Sequence, residues 1–412
     1  MRICFSRFGW KAIVEIKVMH NQPLPAQNNQ GQSLLWSAIA AAMVMAIGMG
    51  FGRFAYTGVY PAMVHEGIVS LHDGTLAASA NYAGYLLGAL LAARLSSGHS
   101  RKWVIVSILA SVVGLIALAY IAQPWLIISI RGVAGLFSAL SMIAVSQWLL
   151  QHKGHHEGAP ILFSGVGIGI FLSAEILAIA QGVGFNSFNL WLTLGVSSAV
   201  LSGIAIKKLD KSPTHLMAPS VSDASGRHMP LGAWPLIAVY GLAGFGYIIT
   251  ATYLPMLVKS AFEDMNPVHI WAVFGLGAAP SCYLWHKLHL RFGTHVALRA
   301  NLLLQAFGVI LPVISPSVAG YVGSALIVGG TFMGTVTIAM PAAKRVSHTI
   351  KHNLIAVMTA AYGIGQIIGP LLASYLFAYS GSFNTSLIAA GVGLVLSTLL
   401  TVRFPSPLQT DR

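Results

Sequence analysis

The sequence predicts an all-α membrane protein of twelve transmembrane helices in two pseudo-symmetric six-helix bundles, and three observations carry that expectation. Of its 412 residues, 56% are hydrophobic and only 8% charged, with a mean hydropathy of +0.75. That composition excludes a soluble globular domain. Apolar runs of the roughly 20 residues needed to cross a bilayer recur along the whole length between short polar breaks. Stretches in the two halves also repeat each other at a spacing of 194 residues.

Residues 1–32 form a polar lead, with Arg2, Arg7, Lys11 and Lys17 followed by Pro23, Pro25 and an Asn/Gln run. It lacks the unbroken apolar core and small-residue cleavage site of a signal peptide. Met19 opens a shorter frame that keeps every span, which makes residues 1–18 a candidate start-site artefact. Hydropathy places the spans at about 33–63, 75–97, 102–121, 124–150, 159–181 and 187–206, then 232–259, 267–290, 294–313, 317–343, 351–379 and 382–402. The widest gap, 207–231, is polar, charged and Pro/Ser-containing, and reads as a cytoplasmic linker between bundles at 33–206 and 232–404, with a tail at 405–412.

A shift of 194 sets Gly50-Phe51-Gly52 on Gly244-Phe245-Gly246, Pro61 on Pro255, Val64 on Val258 and Gly135 on Gly329. A shift of 196 sets Gly167-Ile168-Gly169 on Gly363-Ile364-Gly365. Orientation follows from Lys and Arg. With both termini in the cytoplasm, Arg94, Arg101, Lys102, Lys153, the 207–231 basics, Lys287, Arg291, Arg299, Lys344, Arg345, Lys351 and Arg403 lie inside, against Lys259 alone outside. The same distribution accounts for the net charge of +13 without nucleic acid, because the basic residues are scattered by loop instead of forming a stripe. Cys4 in the lead and Cys282 in an apolar run imply neither a disulfide framework nor a thiolate metal site.

Twelve spans, the duplication, the long middle loop, Arg131-Gly132-x-x-Gly135 early in the fourth span and the glycine-rich fifth and eleventh spans resemble the major facilitator superfamily of secondary transporters. Gly50-Phe51-Gly52-Arg53-Phe54-Ala55-Tyr56 together with Ala78-Ser79-Ala80-Asn81-Tyr82-Ala83-Gly84-Tyr85-Leu86-Leu87-Gly88 is similar to its YbfB/YjiJ group. The resemblance covers nearly everything after residue 32 and implies the major facilitator fold, with spans one, four and five side by side. It also implies an acid in the loop after span two that supports an inner gating salt bridge. Here Arg94 to Arg101 contains none, while Arg291-Phe292-Gly293 looks like a remnant of the same motif.

Three ionisable side chains fall well inside spans: Arg53, Arg131 and Glu175. At about 1.5 Å of rise per residue, each lands on the order of 7 Å outward of the midplane. A charge at that depth costs about 2.5–3.5 kcal/mol, so each must face protein or a wet cavity. Two positives and one negative leave an excess that an anion or water must compensate. The functional expectation pairs Glu175 with Arg131 as a proton-coupling unit and leaves the Arg53 fork for a substrate carboxylate. The structural alternative is an Arg–Glu clamp between spans four and five, with Arg53 solvated.

Tyr56, Asn81 and Tyr82 in the first half, with Tyr247, Tyr362 and Gln366 in the second, are the further substrate-binding candidates, and Tyr85 shares their character. The Gly165-x-Gly167-x-Gly169 and Gly363-x-Gly365 runs follow no strand and neighbour no lysine, so they read as close helix contacts instead of phosphate loops. His152, His155, His156 and Glu157 read as polar cover of a cytoplasmic turn. No cofactor and no enzymatic constellation is implied.

The sequence therefore predicts a multi-pass transporter of a bacterial-type inner membrane, functional as a monomer. Its partners would be the lipid bilayer, a small anionic or amphipathic organic solute and protons. An efflux pump for drug-like compounds and a non-transporting membrane sensor or scaffold are the alternatives. The sensor would need a soluble output module, for which 1–32 and 207–231 are too short and polar.

Overall fold

The computed structural model describes residues 26–92, 97–209, 232–262, 265–346 and 353–403. The lead up to residue 25, Arg94, the linker from 210 to 231, Lys351, the side chain of Arg403 and the tail from 405 lie outside the described residues. What is described is helical. The helices are α1 (Ala26–Met45), α2 (Tyr56–His65), α3 (Leu71–Ala92), α4 (Ser100–Tyr120), α5 (Pro124–Ser146), α6 (Ala159–Gly182) and α7 (Ser187–Lys208), then α8 (Ala233–Ala261), α9 (Val268–Ile314), α10 (Val318–Val346), α11 (Leu354–Ser380) and α12 (Asn384–Arg403). A wider π-helical stretch, Ala46–Phe54, joins α1 to α2.

Local chemistry sets several boundaries. The Asn186 and Asn353 side chains accept hydrogen bonds from the main-chain N–H groups of Asn189 (3.1 Å) and Ala356 (3.2 Å), capping α7 and α11. Pro124 sits in the first turn of α5, where no N–H is missed, and Gly381 ends α11 with a left-handed φ of 67°. Gly293 adopts φ 79° inside the 47-residue α9, so the helix breaks at the Arg291-Phe292-Gly293 corner and continues in a new direction.

Among the described residues, ten helices are long and apolar enough to cross a membrane. The expected twelve include two that do not register separately. One is the continuation of α9 beyond Gly293, and the other is α3, whose first half carries His72, Asp73, Thr75, Ser79 and Asn81. The first helix begins at Ala26, ahead of the expected residue 33.

Glycine sets the closest packing. A Cβ at Gly84 or Gly135 would collide with the carbonyl oxygens of Gly132 and Asn81 across the α3/α5 contact, and one at Gly277 or Gly329 with those of Leu326 and Phe274 across α9/α10. Gly135 and Gly329 are partners under the shift of 194. Gly50 and Gly244 are likewise partners, and they press on Gly169 of α6 and Tyr362 of α11.

Proline creates a further contact between matched positions. Pro255 has no N–H to offer the Ala251 carbonyl, and the Thr57 hydroxyl, 194 residues away, donates to that oxygen at 2.9 Å. Around it the Thr75 and Tyr253 hydroxyls pair at 2.7 Å, those of Tyr82 and Thr252 at 3.0 Å, and Tyr253 donates to the Pro370 carbonyl at 3.1 Å. These bonds tie α2 and α3 to α8 and α11 and seal one end of the bundle.

Gly135→Val should drive a branched side chain into the Asn81 main chain and destabilise the protein by about 1–3 kcal/mol. The thermal midpoint of detergent-solubilised protein should fall; an unchanged midpoint would mean that α3 and α5 are not held at the described distance.

Candidate functional site

The sequence Ala-Ile-Gly-Met-Gly-Phe-Gly-Arg-Phe spaces three glycines through residues 46–54, and the helix widens there. The Ala55 N–H reaches back five residues to the Gly50 carbonyl at 2.9 Å. Widening leaves main-chain oxygens short of donors, and Arg131 of α5 supplies them: Nη1 donates to the Gly52 carbonyl at 3.0 Å and Nη2 to the Arg53 carbonyl at 2.9 Å. The Tyr56 ring lies 4.5 Å from the same guanidinium, and the Asn81 side-chain amide donates to the Arg131 carbonyl at 2.9 Å. Arg131, 2% exposed, is therefore a positioning residue that fixes the backbone on which Arg53 stands.

The Arg53 guanidinium is 3% exposed and lies among π faces, 3.9 Å from the ring centre of Tyr85, 5.1 Å from Phe54 and 5.2 Å from Tyr82. Such faces attract a desolvated cation by ~2 kcal/mol. Its Nη2 donates to the side-chain oxygen of Gln366 on α11 at 3.1 Å, and the amide nitrogen of Gln366 donates to the Tyr247 hydroxyl. Its Nε has no partner. Among the described residues neither Arg53 nor Arg131 has a carboxylate within ion-pair distance.

Gln366, Tyr247, Tyr85 and Phe54, all neighbours of this group, line a cavity of about 460 Å³. Arg53 itself stands one layer behind that wall. The cavity opens away from the sealed end, toward Ser146, Gln151, Ile355 and Thr359. One wall is an aromatic stack in which Tyr247 lies parallel to Phe332 (5.3 Å) and Tyr362 (5.9 Å). Met49, Met142, Met333 and Met340 supply much of the rest, soft side chains that adapt to varied apolar shapes. A second cavity of about 580 Å³ shares Phe163, Met333, Val336 and Met340 with the first and reaches His286 and the buried Cys282.

The structure gathers most of the expected residues into one region but assigns them to two layers. Tyr247, Tyr362 and Gln366 face the cavity, whereas Tyr56 and Asn81 support Arg131, and Tyr82 backs Arg53. The expected pairing of Glu175 with Arg131 is corrected: Glu175 Oε1 lies 3.1 Å from His269 Nδ1, across from α6 to α9, at a partly exposed position. The physical reason is that both Arg131 terminal nitrogens are already taken by the carbonyls that the widened helix leaves free.

Sequence reasoning missed Phe332, Tyr240, the four methionines and His269. An aromatic or methionine in an apolar run carries no signal of which way it faces.

Residues 45–402 match the family described as "Uncharacterised MFS-type transporter YbfB". The chain is also 24% identical over 408 residues, covering 93% of its own length and 90% of the relative's, to a protein from Corynebacterium glutamicum named "Gentisate transporter". The chain belongs to the YbfB-type family of major facilitator transporters.

Arg131→Lys keeps the charge but cannot hold two carbonyls with a planar fork. It should lower stability by on the order of 2 kcal/mol, the usual worth of a hydrogen bond to a charged group. Thermal unfolding in detergent reads this loss, and an unaltered midpoint would remove Arg131 from its positioning role.

Proposed function

We propose that this YbfB-type transporter is a secondary carrier of a small organic anion, and that Arg53 provides the charge the anion meets. The single observation that carries this reading is a buried guanidinium without a carboxylate partner, one layer behind an aromatic-walled cavity. A desolvated positive charge is costly unless paired, so a carboxylate that reaches it gains more than it would in water. The relative named for gentisate, an aromatic carboxylate, supports the class. The stacked wall of Tyr247, Phe332 and Tyr362 suits its ring.

Twelve crossings follow if α1 with α2 counts as one, α9 as two and α3 as one, with bundles at 33–206 and 232–404 joined by 207–231. The matched glycine contacts and the Thr57–Ala251 bond support the duplication. The charge asymmetry supports a bacterial-type inner membrane orientation with cytoplasmic termini, which makes the open end cytoplasmic and the sealed end external. The carrier works as a monomer by alternating access around the cavity.

Glu175 is the carboxylate we assign to proton coupling. Among the described residues it alone lies inside a span, since Glu66, Asp73 and Glu157 sit at helix ends and connections. Its partner His269 is on the other half, so protonation of the carboxylate releases a contact between α6 and α9 on the external side. The second cavity, where Ala159, Pro160, Phe163, Met333, Val336 and Met340 form a mainly apolar lining, favours hydrophobic drug-like cargo as the other reading. Such cargo would bind without regard to Arg53.

Gentisate binding measured by calorimetry on purified protein tests the anion site. Arg53→Ala should raise Kd at least ~10-fold, about 1.4 kcal/mol, and an unchanged Kd removes Arg53 from the site. In proteoliposomes, Glu175→Gln should abolish uptake driven by a pH gradient while binding persists. Gradient-driven uptake at the parental rate would rule out the proton role.

A further inference from the structure

Gln366 occupies an unusual position. Arg53 and Tyr247 correspond to each other under the shift of 194 that relates the two halves, and the Gln366 amide bridges them, accepting from Arg53 and donating to Tyr247. It is 1% exposed, lines the cavity, and belongs to the half opposite Arg53. Pro370, four residues on, has no N–H for the Gln366 carbonyl, which loosens the turn carrying this side chain. Gln366 thus stands both on the guanidinium and on the cavity wall, with an amide oxygen aimed at the charge, and it shares that wall with Tyr85, whose ring lies 3.9 Å from the same group.

We propose that Gln366 is a resident surrogate ligand: its neutral amide holds the carboxylate's place on Arg53 until an anion displaces it. This inference rests on the anion reading of Arg53 above. A carboxylate accepts two hydrogen bonds from the guanidinium fork and brings the charge that the amide lacks, so exchange favours the anion. Displacement also cuts a bond between the halves. The Arg53–Gln366 bridge lies next to Ser79–Ile367 and Tyr82–Thr252, inside the seal, so a bound anion loosens the closed end from within. The freed amide and the Tyr247 hydroxyl remain beside the cavity to meet polar substituents of the substrate. A ligand shifts a conformational equilibrium only through a difference in its contacts between states, and here the contact that changes is named.

Two readouts test this, one without ligand. In a Cys4→Ser, Cys282→Ser background, Ala78→Cys places a thiol at a buried position in the seal, and its labelling by a water-soluble maleimide reports opening of that end. Gln366→Met, similar in size but without the amide, should speed labelling at least fivefold, and Gln366→Glu, which gives Arg53 a built-in carboxylate, should slow it. Equal rates in all three proteins overturn the proposal.

With benzoate as the probe, calorimetry should show affinity kept or tightened in Gln366→Met and weakened at least tenfold in Gln366→Glu. Loss of affinity in Gln366→Met as large as in Arg53→Ala overturns it, as does parental affinity in Gln366→Glu. If the parent protein prefers benzamide to benzoate, the anion reading of Arg53 fails, while the labelling rates still decide whether Gln366 holds the halves together.

Discussion

A positive charge without a negative one is the constraint that organises this molecule. Arg53 and Arg131 both lie inside the apolar bundle, and the surrounding residues neutralise them with main-chain oxygens, a side-chain amide and aromatic faces in place of carboxylates. Each device is weaker than an ion pair in the same setting. For Arg131 the two carbonyls are enough, because they fix its fork in both directions. For Arg53 a single amide oxygen takes one terminal nitrogen, where two carbonyls take both of those of Arg131, and this leaves unspent capacity one layer behind the cavity.

The two arginines are linked through the backbone. Three glycines widen the helix, the widened turn exposes the carbonyls of Gly52 and Arg53, Arg131 takes those carbonyls, and the Arg53 side chain is thereby aimed at α11. Without the widened turn Arg131 would have nothing to grip. Without Arg131 the turn would carry unmet oxygens in a dry interior, at a cost comparable to a lost hydrogen bond for each. The seal beyond them uses neutral groups: hydroxyls set against one another and against main-chain oxygens, one of these released by Pro255, with no ion pair among the described residues at its centre. Neutral hydrogen bonds of this kind are individually worth about 1 kcal/mol, which suits a contact that must form and part repeatedly.

Much of this could be read from residues alone. The apolar runs fixed the helices because the bilayer demands a length, and the cost of a buried charge singled out Arg53 and Arg131 before any neighbour was known. Pro61 with Pro255 and Gly135 with Gly329 announced a repeat, and the glycine pair occupies matching places in the packing, each against a main-chain oxygen of the neighbouring helix. What stayed hidden depended on rotation about a helix axis. Glu175 was expected to meet Arg131 and instead meets His269, because the phase of α6 turns it toward α9 and because Arg131 had already been claimed by a backbone distortion that hydropathy does not register. Phe332 and the methionines of the cavity were invisible for a related reason: one face of an all-apolar helix looks like another. The polar first half of α3 was legible as composition, yet that same polarity lowered its resemblance to an ordinary crossing helix.

The account stands on the claim that an anion from the cavity replaces Gln366 on the Arg53 guanidinium. A structure of the protein determined with 4-iodobenzoate, the iodine located by anomalous scattering, tests it most directly. The account predicts the carboxylate within hydrogen-bonding distance of the guanidinium, the ring against Tyr247 and Phe332, and the Gln366 oxygen withdrawn. An iodobenzoate seated elsewhere in the cavity, with the Arg53–Gln366 bond intact, would contradict it.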